Sequence, residues 1–125
     1  MGSALYNWVK TRTLKSEGSS SVTEGIGIGR VTANLEGSPI DDAVRIEDDE
    51  IVRTGYQLLY REGLFLGGTS GANVAAAVRV AKQLGPGNTV VSILCDGGQK
   101  YLSRFWSREY LEQKGLATQA DAARR

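Results

Sequence analysis

The chain has 125 residues, enough for one ordinary domain with a usable core and not for two. Fifteen Lys and Arg against 14 Asp and Glu leave a net charge near +1, and no long basic block marks a nucleic-acid footprint. With no histidine and a single cysteine, Cys95, the usual general base, Ser-His-Asp chemistry, most zinc sites and an internal disulfide are all excluded.

Sixteen glycines against 2 prolines predict many turns or close backbone approaches. No apolar run reaches membrane-spanning length, and the N-terminus has no signal-peptide core, so a reducing, cytoplasmic setting is expected. Catalysis would have to use lysine, carboxylates, hydroxyls or a cofactor.

Met1–Lys15 reads as a helix or helix fragment with Leu5, Trp8 and Val9 apolar. A small polar loop, Glu17–Ser21, leads to Gly25-Ile26-Gly27-Ile28-Gly29. These alternating glycines make a poor strand and lack dinucleotide-loop spacing. They suit either a close backbone crossing or a loop lining a ligand cavity. Pro39 ends a short mixed segment, and Asp42–Ile46 alternates as a strand would. Asp48 is placed to cap a helix running from about Asp49 to Arg61, with Ile51, Gly55, Leu58 and Leu59 facing inward and Gly63 at its C-terminal cap. Gly55 in mid-helix predicts close packing against a neighbour.

The stretch Leu64–Val78 organises the rest. A short apolar run stops at Gly67-Gly68, Thr69 and Ser70 follow, and a small-residue helix begins near Gly71. Such a turn allows close approach to the backbone, and a helix start offers unpaired N–H groups and partial positive charge. It is also an ordinary helix entry, in which Thr69 or Ser70 is only a cap. The following helix, Ala72–Leu84, has Val74, Ala75, Val78, Ala81 and Leu84 as its expected buried stripe, and Gly85-Pro86-Gly87 ends it.

Thr89–Cys95 is β-branched and nearly all apolar, as in a strand covered on both faces. Asp96-Gly97-Gly98 turns the chain at its carboxyl end, the edge where open α/β sheets bind ligands. A helix over Tyr101–Leu111 and a frayed polar tail, residues 117–125, complete the chain. The expected architecture is α/β with a parallel sheet.

Three segments, Glu24–Gly37, Glu62–Gly87 and Thr89–Leu116, together resemble the C-terminal portion of a cysteine synthase. The resemblance is to the O-acetylserine sulfhydrylase and cystathionine β-synthase branch of the fold-type II pyridoxal-phosphate enzymes. It covers residues 1–116 and implies part of a three-layer, tryptophan synthase β-like large domain. The implied reaction is β-replacement, in which acetate leaves O-acetylserine and sulfide adds to give L-cysteine. The implied cofactor is pyridoxal 5'-phosphate, which carries the chemistry while the protein orients it.

On this resemblance the Gly67–Gly71 turn meets the cofactor ring, with Thr69 at the pyridine nitrogen and Gly68 and Ser70 beside it. A hydroxyl partner there leaves the nitrogen unprotonated. Gly25, Ile26, Gly27 and Gly29 match a glycine loop near the amino-acid substrate. Many members have Pro-Ser where this chain has Cys95-Asp96, so Asp96 is assigned to the ring's surroundings and not to catalysis, an Asp before two glycines being an ordinary turn residue as well. Cys95 is most simply a small packing residue. The family's lysine, substrate-carboxylate and phosphate motifs are absent from the sequence. The chain is therefore expected to be a piece of a longer enzyme, homodimeric in its parent form, or to work with a complementing N-terminal chain. A cystathionine β-synthase-like activity and a non-catalytic fragment are the rival expectations.

Overall fold

The computed structural model describes residues 4–16, 21–24, 26 and 29–124. Among these, the chain forms α1 (Ala4–Thr11), α2 (Ala33–Glu36), α3 (Asp48–Glu62), α4 (Gly68–Leu84), a 3-10 turn over Gly98–Tyr101, α5 (Arg108–Gln113) and α6 (Ala117–Ala122).

The frame is the pair α3 and α4. Three acids, Asp48, Asp49 and Glu50, occupy the first turn of α3, where the helix dipole favours them, and Gly63 closes the helix at φ 69°. The expected close packing at Gly55 is present: a Cβ there would lie 2.7 Å from the Phe105 ring. Gly71 plays the matching part on α4, since its Cβ would lie 2.9 Å from the Ile51 carbonyl oxygen. Small residues on both helices thus let the two backbones approach closely. Arg79 of α4 reinforces the pair by donating to the Arg45 carbonyl and pairing with Glu50.

The core is built around α3 and the start of α4, where the Phe105 ring packs against both Gly55 and Gly68. Val52, Phe105 and Leu111 are fully buried with Ile51, Tyr56, Val22 and Ala72. Trp106 stacks between Tyr56 and Phe65, at centroid distances of 4.5 and 5.1 Å.

Several expectations are corrected. Asp48 does not cap α3: Glu47 holds that position, while the buried Asp48 carboxylate accepts from the Val22 N–H and the Ser21 hydroxyl. Thr32 caps a single helical turn in a segment expected to be irregular. The Tyr101–Leu111 helix is broken at Leu102–Trp106, and a new helix starts at Ser107, whose hydroxyl accepts from the Tyr110 N–H. Beyond α5, α6 buries Ala120, and its cap residue Ala123 is buried too, both in the core cluster.

The expected parallel sheet is not formed among the described residues. Neither Asp42–Ile46 nor Thr89–Cys95 is a strand, and the one β-bridge, Leu66 to Gly97, is antiparallel. Thr89–Cys95 has no ladder partner, and Val91 and Ile93 stand 85% and 67% exposed. For the same reason Val78 and Leu84 of α4 remain on the surface, because no sheet covers that face. Only the small-residue face of α4 is buried: Gly68, Ser70, Gly71, Ala72 and Ala75.

Candidate cofactor-ring site

Two glycine turns far apart in sequence are joined at the N-terminus of α4. Gly67 donates its N–H to the Asp96 carbonyl at 2.9 Å, and Gly98 donates to the Phe65 carbonyl at 3.0 Å. Between these bonds lies the Leu66–Gly97 bridge. The Trp106 indole donates to the Leu66 carbonyl at 3.0 Å, tying the junction to the aromatic core.

Ser70 is fully buried, and its Oγ accepts from the Cys95 N–H at 2.9 Å. Asn73, one turn further along α4, donates to the Ile93 carbonyl. The extended Thr89–Cys95 segment is therefore pinned along the start of α4. Thr69 is half-buried beside these ties.

Glycine is required at the turn by its neighbours. A Cβ on Gly67 would lie 2.6 Å from the Tyr101 ring and 2.8 Å from Asp96 Oδ1. On Gly68 it would lie 2.8 Å from the Phe105 ring and 3.3 Å from the Thr23 methyl. Asp96 Oδ2 accepts from the Tyr101 hydroxyl at 2.8 Å and faces Lys100 at 3.4 Å, whereas Oδ1 is buried with no hydrogen-bond partner. The bond to the Asp96 carboxylate holds the Tyr101 hydroxyl above the usual phenol range.

The structure thus brings Gly68, Thr69, Ser70 and Asp96 together. Of the expected glycine loop, Ile26 is exposed and a Cβ on Gly29 would meet nothing within 4 Å; Gly25 and Gly27 lie outside the described residues. The residue before that loop that does reach the turn is Thr23, while Glu24 pairs with Arg104 at 3.1 Å. Sequence reasoning missed Tyr101 and Thr23. The only trace of Tyr101's part is its place five residues after Asp96, across two glycines.

The arrangement is a glycine turn at a helix start, with a hydroxyl and a buried carboxylate oxygen at hand. Residues 2–96 match the family of pyridoxal-phosphate dependent enzymes, and the chain belongs to that family. Its residues fit the ring of that cofactor: Thr69 offers a hydroxyl, Gly67 and Gly68 keep the turn free of side chains, and Asp96 offers an unpartnered acceptor.

The chain is 43% identical over 118 residues to cysteine synthase 1 of Emericella nidulans, which covers 92% of this chain and 32% of that protein. It is 44% identical to cysteine synthase 1 of Neurospora crassa, with 92% and 31% covered. A cystathionine beta-synthase of Apis mellifera is 37% identical over 93 residues, 74% of this chain and 18% of that protein. The chain spans about a third of the length of these cysteine synthases.

Proposed function

We infer that this chain supplies the ring-side wall of a pyridoxal-phosphate-dependent enzyme that forms L-cysteine from O-acetylserine and sulfide. The observation that carries the reading is the junction of the Gly67–Gly71 and Asp96–Gly98 turns, built from the motifs that resemble the cysteine synthases. When bound, the cofactor supplies an electron-withdrawing ring. This chain's part is to hold that ring: Thr69 meets the pyridine nitrogen, Gly68 allows close approach, and Ser70 fixes the turn from beneath. Gly25, Ile26, Gly27 and Gly29 belong to the loop near the amino-acid substrate.

Sheet formation belongs to the same reading. Thr89–Cys95 becomes a covered parallel strand when neighbouring strands of the full three-layer fold lie beside it, supplied by a longer chain or a complementing one. The parent enzyme is then a homodimer acting in the cytoplasm. Among the described residues no helix is long and apolar enough to cross a membrane. The likeness to the Apis mellifera protein supports a second reading, cystathionine β-synthase-like use of a thiol in place of sulfide.

The test is to add pyridoxal phosphate to the 125-residue chain, record visible absorbance, reduce with borohydride and map the labelled peptides. The expected result is no discrete band and no single labelled lysine. One lysine labelled stoichiometrically would overturn the assignment of this chain to the wall alone.

A further inference from the structure

We propose that the hollow between α3, α5 and α6 is a binding site for a small planar aromatic carboxylate, its ring seated on Tyr56 and Trp106 and its carboxylate held by Arg124 and Tyr60. The site goes beyond the pyridoxal-phosphate reading and does not depend on it.

The hollow has a volume of about 310 Å³, at the lower end of the range that small-molecule sites occupy. Tyr56, Phe65 and Trp106 make its aromatic lining, with the Trp106 ring 4.5 Å from Tyr56 and 5.1 Å from Phe65 between centroids. The polar atoms of two of these rings are engaged elsewhere: the Tyr56 hydroxyl donates to the Phe105 carbonyl and the Trp106 indole to the Leu66 carbonyl. Leu111 and Ala120, both buried, belong to the aliphatic lining. The walls therefore present mainly ring faces and aliphatic carbon. A flat apolar ring gains both buried area and ring contacts on such a surface.

The charged lining sets the other end of the ligand. Three charged side chains line the hollow: Arg108, Asp121 and Arg124. Arg108 and Asp121 neutralise each other through two hydrogen bonds of 2.7 and 3.1 Å, and Arg108 Nε is taken by Glu112. Arg124 has no ion-pair partner among the described residues. Its Nε donates to the Tyr60 hydroxyl at 3.0 Å, with the guanidinium 5.2 Å from the centre of the Tyr60 ring. Among the described residues, the terminal nitrogens of Arg124 and the hydroxyl proton of Tyr60 have no acceptor. Unused donors on two bonded side chains, one of them charged, complement the two oxygens of a carboxylate. A bare phosphate or sulfate would use these donors and leave the aromatic lining uncovered.

The experiment titrates the full isotope-labelled chain with cinnamate and, separately, with neutral cinnamyl alcohol and inorganic phosphate, following amide and indole N–H signals by NMR. The chain has two tryptophans, and of these Trp106 lines the hollow. Cinnamate is expected to shift the Trp106 indole signal saturably, with the amides of Tyr60 and Ala120, and to leave the Trp8 indole unmoved. Arg124→Gln, with folding checked by circular dichroism, is expected to weaken cinnamate about three- to tenfold and to leave cinnamyl alcohol unchanged. Tyr60→Phe, which keeps the ring and loses the donor, is expected to weaken cinnamate by about half as much on a logarithmic scale. No shift of the Trp106 signal at millimolar cinnamate would overturn the site. Equal affinity for cinnamate and the alcohol, in the natural chain and in Arg124→Gln alike, would overturn the carboxylate assignment. Phosphate moving the same signals as strongly as cinnamate would overturn the aromatic one.

Discussion

Ser70 and Cys95, 25 residues apart, join the helix that begins the site to the segment that ends at it: the Cys95 N–H donates to the fully buried Ser70 Oγ at 2.9 Å. A side chain that looks like a helix cap or a ligand contact therefore carries a structural bond of its own.

Ser70→Ala removes that acceptor. The expected cost is about 1 kcal/mol, the usual net worth of one hydrogen bond. Urea denaturation followed by circular dichroism measures it. Ser70→Thr keeps the hydroxyl but adds a methyl at a fully buried position, and is expected to cost about 1–3 kcal/mol through overpacking. An Ala variant as stable as the natural chain would show that the bond contributes nothing.

Gly55→Ala and Gly71→Ala probe the α3–α4 crossing. The first would press a methyl 2.7 Å from the Phe105 ring, a side chain able to shift. The second would press one 2.9 Å from the Ile51 carbonyl, which is backbone and cannot move without moving α3. Overpacking costs about 1–3 kcal/mol, and Gly71→Ala is expected at the upper end of that range despite alanine's better helix propensity. Thermal unfolding of the two variants side by side decides the order.

Asp48→Ala leaves the Val22 N–H and the Ser21 hydroxyl without their acceptor, in a place where Asp48 itself is buried. Destabilisation of about 1–3 kcal/mol is expected. Amide hydrogen exchange should rise at Val22 and Thr23 before it rises in the middle of α3. Uniform acceleration instead would mean that Asp48 serves only the whole fold.

Tyr56 gives a pH dependence with a defined sign. Burial pushes its phenol up from 10.0 to about 12, and its hydroxyl donates to the Phe105 carbonyl. A group whose folded pKa is raised contributes stability that is complete below the unfolded value and is lost as pH rises through the folded one. Stability is therefore expected to fall between about pH 10 and 12 more steeply than in Tyr56→Phe. The difference between the two denaturation profiles isolates this group from the lysines that titrate in the same range.

Local rules written in consecutive residues were legible in the sequence. Acids followed by an apolar period, with Gly63 behind them, defined α3. Gly67-Gly68-Thr69-Ser70-Gly71 marked a helix start, placed by the structure at Gly68, and the mid-helix Gly55 announced a close neighbour. The family followed from motifs in order, and residues 2–96 bear it out.

Tertiary structure alone decided the rest. Whether Thr89–Cys95 is a strand depends on hydrogen-bonding partners that no residue can supply for itself, so its β-branched composition could not make it one. The Ser70–Cys95 tie and the Phe105 ring against Gly55 join residues far apart in sequence, whose nearness arises only when the chain packs. The unpartnered oxygen of Asp96 is of the same kind. An aspartate before two glycines reads as an ordinary turn residue, and only the packing of Tyr101 and Gly67 around it buries one of its oxygens without a donor.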